Sequence, residues 1–278
     1  MKYFEKGGNT ALLHNITAAL SNLEVTKAVL GDFTTTFNKI GLKQGDARAL
    51  AMIVVSEMSA HEYGGILEME EYVDTELKKF GVPEKLKSKL AERTLLIISQ
   101  LAPHLSGITG KVMDFGAGSG LVAQGLHDRL GLDIEALDVR DFKSPAVAVK
   151  FHQFNGTEAP VPPKYYEAAV LTNVIHHEED NEKILKELDR IVSKRLVLIE
   201  TMAAEDTKEE WQRTFLNDVL WNRFFNHADI PVPGTYENVD GWINRFAAYG
   251  WKCSHSEDLG YDQPTITDIH HLFVFDRP

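Results

Sequence analysis

From residue 111 to residue 201 the sequence alternates short, nearly unbroken apolar runs with amphipathic stretches, and few architectures accept that alternation. The runs are KVMDF (111–115), DIEALDV (133–139), VAVKFHQF (147–154), EAAVLTNVI (167–175) and RLVLIET (195–201), with the helical segments GLVAQGLHDRL and NEKILKELDRIVSK among them. A strand that is apolar on both sides needs cover on both faces, and strands separated by helices pair in parallel. The pattern predicts an α/β fold with a mostly parallel sheet between layers of helix. VDGWINRFAAYG then reads as a further helix. WKCSHSEDL and HHLFVFDR read as two late strands, whose short connection predicts a hairpin and hence an antiparallel edge.

The first 105 residues carry a different period. NTALLHNITAALSNLEVTKAVL sets Leu13, Ile16, Leu20, Leu23 and Ala28 at helical spacing behind Asn9 or Thr10 as a cap. GDARALAMIVVSEMSAHEYGG reads as a helix from Asp46 to the glycines at 64 and 65, and MEEYVDTELKKFG as one that ends at Gly81. VPEKLKSKLAERTLLIISQLAPHL opens on Pro83, where a missing N–H costs nothing. No strand pattern interrupts them. The expected organisation is an all-helical region over 1–105 and a sheet domain over 106–278, with no internal repeat.

One stretch asks for a ligand. In KVMDFGAGSGLVAQGL (111–126) Gly116, Gly118 and Gly120 fall at alternate positions where the first strand turns into its helix. Parallel sheets bind ligands at that place, and glycines let the backbone turn tightly and approach a ligand closely. Asp138 ends the next strand, 18 residues after Gly120. An acid at about that spacing meets a ribose diol, whose two hydroxyls a carboxylate accepts together. A dinucleotide fingerprint wants Gly-x-Gly-x-x-Gly, whereas here the sixth position is Leu121 and the third glycine comes one place early. A glycine-rich turn without any ligand is the plain alternative.

Charge and cysteine content narrow the partners. The net charge of −12 speaks against nucleic acid or an anionic membrane as the main partner. The single cysteine, Cys253, excludes an internal disulfide and a cysteine-based zinc cluster, and no other metal site is expected. No secretory signal is visible at the N-terminus, and ALAMIVV (49–55) is too short to span a bilayer. A cytoplasmic protein is expected.

VMDFGAGSG followed by ALDV resembles the cofactor motif of the class I S-adenosylmethionine-dependent methyltransferases. YYEAAVLTNVIHHEEDNEKILKELDRIVSKRLVLIE is similar to that family's fourth strand, following helix and fifth strand. The likeness covers about residues 108–201 well and extends loosely to 278. It implies a Rossmann-like seven-stranded sheet with an antiparallel last strand, and S-adenosylmethionine as cofactor. It assigns cofactor contacts to Asp114, Gly116, Ala117, Gly118, Gly120, Asp138, Val139, Asn155, Gly156, Asn173 and Val174. Asp114 suits a cofactor with a cationic amino-acid end and no phosphate. Asn155 stands where the family often has an acid against the adenine.

The resemblance further implies methyl transfer by in-line displacement to a small-molecule acceptor, with an O- or N-nucleophile favoured. A general base helps when the acceptor is a hydroxyl or an ammonium. His177 and His176, just after the fourth strand, are candidates, and each can equally cap the loop or stack beside the cofactor. His227 is a third, in the aromatic segment 211–242 that also holds Arg213, Arg223 and three tryptophans. The N-terminal helices are expected to wall the acceptor site or to form a homodimer; His14, His61, Glu62 and Tyr63 are their polar candidates. Two other readings share the fold: an enzyme that uses the cofactor without methyl transfer, and a non-catalytic binding protein.

Overall fold

The computed structural model describes residues 3–60, 63–225, 230–261, 264–265 and 267–277. Five helices open the chain: α1 (Gly8–Leu20), α2 (Leu23–Lys39), α3 (Gln44–Ser59), α4 (Ile66–Lys79) and α5 (Val82–Leu101). The first predicted helix is therefore two. Asn22 has an extended backbone and its side chain accepts from Glu24 N, so it caps a new helix instead of continuing the old one. α3 stops at Ser59, before the glycines expected to end it, because Ala60 is already extended.

The sheet follows as β1 (Val112–Phe115), α6 (Leu121–Leu130), β2 (Ile134–Asp138), β3 (Lys150–Gln153), β4 (Tyr166–Thr172), α7 (Asn181–Ile191), β5 (Val192–Met202), α8 (Lys208–Val219), α9 (Val239–Ala247), β6 (Lys252–Gly260) and β7 (Ile269–Asp276). Its seven strands run in the order β3-β2-β1-β4-β5-β7-β6. β1, β2, β3, β4 and β5 pair in parallel, and β7 is antiparallel to both its neighbours. The predicted hairpin is present, but β7 inserts beside β5 and leaves the largely exposed β6 at the edge. Strand order reverses between β1 and β4, so the carboxyl ends of those two strands frame the crevice where such sheets bind ligands.

Burial explains the composition of the strands. β1 and β2 are buried at every position, as near-continuous apolar runs require. α7 and α9 cover one face with Ile184, Leu188, Trp242 and Phe246. α6 covers the other with Ala123 and Leu126, joined by Ile97, Ile98 and Leu101 from the end of α5. The start of α5, through Val82 and Leu86, belongs instead to a third core built from α1–α4. That core also takes in Trp211, Phe215, Leu216 and Val219 of α8 and the following π-helical turn, Leu220–Phe225. The helical region thus closes over the segment that leaves β5, on the carboxyl side of the sheet. No helix among the described residues is long and apolar enough to cross a membrane.

Candidate functional site

The glycine stretch occupies the crevice at the reversal of strand order. Gly116 N and Ala117 N both donate to the Leu137 carbonyl, at 2.8 and 3.0 Å, so the loop folds back over the end of β2. Gly116, Gly118 and Gly120 have φ of +71°, +52° and +74°, a region strained for any side chain. Gly116 is also sterically fixed, since a Cβ there would lie 2.6 and 2.7 Å from the two methyls of Val174. The turn after β4 therefore rests directly on the glycine loop.

The two acids of the motif behave differently. Asp138 is held by backbone: Oδ2 accepts from Gly118 N at 2.7 Å and Oδ1 from Arg140 N at 3.2 Å. A lone pair on each oxygen is left for a ligand. Val139 beside it is 48% exposed, an apolar side chain left open at the carboxyl edge, with Gly156 packed close to it. Asn155 accepts from Thr157 N, the Thr157 hydroxyl and Glu158 N, each at 2.9 Å, and so shapes its own loop. Asp114 is 1% exposed, and neither carboxylate oxygen has a hydrogen-bond partner among the described residues. Burial pushes its pKa up to about 7; the Ala123 amide, short of hydrogen-bond geometry, opposes this, and Asp138 adds to it. A sealed carboxylate without partners is a costly arrangement that a cationic ligand relieves. The ammonium of an amino-acid cofactor end fits the unpartnered oxygens of Asp114, and the open face of the loop at Gly118 fits close backbone approach.

The end of β4 carries a second constellation. Asn173 adopts φ +55°, which asparagine tolerates, and its N–H closes on the Ile199 carbonyl at 2.7 Å. Its Nδ2 donates to His270 Nε2 of β7 at 3.2 Å, while its Oδ1 is buried with no partner among the described residues. A single-turn 3₁₀ helix, Ile175–His177, follows. Glu200, fully buried at the end of β5, organises it: Oε1 accepts from Val174 N at 3.0 Å and Ile175 N at 2.9 Å, and Oε2 from His176 Nδ1 at 2.6 Å. On its other side His176 Nε2 faces Asp218 Oδ1 of α8 at 3.8 Å. Burial alone would depress the His176 pKa, but the carboxylates of Glu200 and Asp218 outweigh it and hold it up to about 10. His177 is the opposite case: enclosure and the neighbouring His176 push it down to about 4. Its Nδ1 donates to the Pro231 carbonyl at 2.9 Å.

Asp218 is itself anchored. Oδ2 accepts from the Tyr236 hydroxyl and Oδ1 from Asn222 Nδ2, both at 2.6 Å. Tyr236 lies in the extended segment after Pro231, and Asn222 in the π-helical turn. Asp268, buried close by, is raised well above the ordinary carboxylate range by burial and by the charges of Asp218 and Asp32. The structure thus sets Val174 directly on the glycine loop, with Asn173 before it and His176 and His177 after it in the same turn, their side chains held by His270, Glu200 and Pro231. Of the N-terminal candidates, His14 pairs with Glu5 at the surface and Tyr63 donates to Glu57. His227, like His61 and Glu62, lies outside the described residues.

Glu200, Asp218, Asn222 and Tyr236 were not apparent as site residues from sequence. A carboxylate ending an otherwise apolar strand, as Glu200 ends RLVLIE, is the one signal that points to it. A surface cleft of about 510 Å³ opens among Lys111, Asp133 and Lys150 at the amino ends of the strands, away from this crevice. Another, of about 450 Å³, lies behind Tyr236 and Thr235 and is walled by Glu179, Asp180 and Asp206.

Residues 70–256, more than half of the chain, match a family model described as a methyltransferase domain. The chain belongs to the class I S-adenosylmethionine-dependent methyltransferases. Solved structures agree with this methyltransferase in fold. A geranyl diphosphate methyltransferase in complex with SAM superimposes with a TM-score of 0.53 at 15% identity, over 71% of this chain and 91% of that one. The geranyl diphosphate C-methyltransferase of Streptomyces coelicolor A3(2), in complex with Mg2+, geranyl-S-thiolodiphosphate and S-adenosyl-L-homocysteine, gives 0.54 at 14% identity, over 71% and 81%. The [4+2]-cyclase SpnF gives 0.52 at 12% identity, over 66% and 80%. A comparison with curated protein sequences finds no match.

Proposed function

We propose that this methyltransferase transfers the methyl of S-adenosylmethionine to an oxygen or nitrogen of a small-molecule acceptor, at the crevice between the glycine loop and the helices that cover α8. One observation carries the reading: a buried, unpartnered carboxylate, Asp114, beside a loop of three left-handed glycines that is open at Gly118 and closed by Val174 and Val147 behind Gly116 and Gly120. In this reading Asp114 takes the cofactor's cationic end, Gly116, Ala117, Gly118 and Gly120 give it close backbone approach, and Asp138 accepts the ribose hydroxyls. Val139, Asn155 and Gly156 border the adenine, and Asn173 and Val174 the sulfur side. Bound S-adenosylmethionine supplies an electrophilic methyl on a sulfonium, which is displaced in line. The chain's part is to hold the acceptor in place and keep water out.

The His176–His177–Asp218 cluster is the group that acts on the acceptor. It is pinned by Glu200, Pro231, Tyr236 and Asn222, and its two histidines follow Val174, which rests on the glycine loop, while Asp218 reaches them from α8. Residues 1–105 then serve as the wall over the acceptor, since their core encloses the face of α8. Calorimetry with S-adenosylmethionine tests the donor half: Asp138→Ala is expected to weaken binding at least about tenfold, as loss of two charge-assisted hydrogen bonds does. Unchanged binding would refute it. Incubation with candidate hydroxyl and amine acceptors, read by mass spectrometry, tests transfer; cofactor that binds yet is never converted to S-adenosylhomocysteine favours an enzyme of another reaction on this fold.

A further inference from the structure

Three side chains at the acceptor end form a set whose chemistry goes beyond proton transfer. His176, His177 and Asp218 can each bring one ligand atom to within 4.8 Å of the other two. Around a tetrahedral zinc with bonds of about 2.1 Å, ligand atoms stand roughly 3.4 Å apart. The measured 3.8 Å between His176 Nε2 and Asp218 Oδ1 is within a small side-chain adjustment of that spacing. Two imidazoles and a carboxylate are a donor set for a borderline first-row divalent cation such as zinc, not for magnesium or calcium.

The support behind these residues matters more than their proximity. A metal-ligating histidine has its other ring nitrogen held by a carboxylate or a backbone carbonyl. His176 Nδ1 donates to Glu200 and His177 Nδ1 donates to the Pro231 carbonyl, which leaves Nε2 of each ring as the nitrogen that turns to a cation, His176 giving up the Nε2 proton that faces Asp218 as the cation takes its place. Asp218 is oriented through both oxygens, by Tyr236 and Asn222. Each member of the set is thus held by partners outside it, and the histidine rings lie with centroids 4.1 Å apart. The chain offers a contrast on its surface: His104, His255 and Glu257 also come within 4.8 Å of one another, but they are largely exposed and His255 Nε2 contacts Glu257 directly, 3.3 Å away.

We propose that His176, His177 and Asp218 bind a zinc-like divalent cation, leaving at least one position open for an oxygen of the acceptor. This deepens the methyltransferase reading and rests on it for the identity of the acceptor end. A cation there polarises a hydroxyl more strongly than an imidazole does and fixes its distance from the methyl. The substrate class that follows is an oxygen acceptor, phenol or enol in type, in preference to an amine.

The experiment uses full-length protein stripped with a chelator, on a His255→Ala background that removes the surface cluster. Titration with Zn2+ by calorimetry, and with Co2+ by its visible absorption, is expected to give one site per chain. Asp218→Asn and His177→Gln are each expected to weaken zinc binding at least about thirtyfold while S-adenosylmethionine binding stays within about threefold. His177, on the rim of the cluster, serves as the variant of record should Asp218→Asn fail to fold. No zinc binding above a non-specific control, or equal binding by both ligand variants, overturns the site. Cofactor binding is measured on the same samples: its absence with zinc binding intact would sink the donor reading alone, and the reverse result the cation site alone.

Discussion

Asp114 sits in a central strand with its carboxylate sealed from water and, among the described residues, without a hydrogen bond. Its pKa in the folded chain, about 7, lies above the ordinary value of 3.8, so near pH 5 the folded state keeps a proton that the unfolded state has released. The sign follows: this contribution to stability is intact below about pH 4 and is lost as pH rises toward 7. Above that the ionised group costs the ligand-free protein on the order of 4 kcal/mol. Asp114→Asn is therefore expected to raise the melting temperature of the ligand-free protein at pH 8 and to weaken S-adenosylmethionine at least about tenfold, a pairing of effects that marks a functional carboxylate. Cofactor affinity of the unaltered protein should fall as pH drops through 7, because the neutral acid attracts an ammonium less. Thermal melts and calorimetry at pH 6 and pH 8 check both; a variant that melts lower and binds equally well would show Asp114 to be structural.

At the scale of elements, the turn after β1 and the turn after β4 form one interlocked unit. Gly116→Ala places a methyl 2.6 Å from Val174 Cγ2 at a φ of +71°, so something must move and the backbone is strained as well. A loss of about 2–4 kcal/mol is expected from strain and overlap together, with cofactor binding reduced in step. Val174→Ala in the same chain removes the overlap and leaves the strain, so the double variant should regain part of the stability, as denaturant titration reads. Additive losses would show that the two turns do not share the contact. The strands and the glycine loop were legible because their signals are local: apolar runs, left-handed turns, and an acid at the end of the next strand. The break at Asn22 was not, since an asparagine within an apolar period becomes a cap only when its backbone turns outward. Glu200 and Asp218 were legible only as isolated acids. Glu200 meets His176 across 24 residues, and Asp218 meets Tyr236 across 18, through pairing and packing that no window of sequence contains.

For the molecule as a whole, the helical zone and the sheet read as separate stretches of sequence, yet they are not separate in packing. α5 contributes its first turn to the helical core and its last to one face of the sheet. Asp32 of α2 receives both Arg213 Nε at 2.7 Å and Nη2 at 2.8 Å from α8, with Asn217 Nδ2 at 3.0 Å. Thr267, just before β7, extends the same chain of contacts to Thr36 and Asn217. Asp32→Asn is expected to cost about 2–3 kcal/mol, because the guanidinium loses its charged, bidentate partner in a half-buried setting. The contacts also set the unfolding behaviour. Trp211 and Trp221 lie in the helical core, and Trp242 and Trp251 on one face of the sheet. With Trp242→Phe and Trp251→Phe, fluorescence reports the helical core alone while far-ultraviolet dichroism reports the whole chain. Coincident transitions are expected, and Asp32→Asn should shift both together, since the helical core is anchored through α8 to the strand that carries Glu200. Two separated transitions would mean that the helical core opens independently of the sheet, and the proposed acceptor site would then be hinged and not fixed.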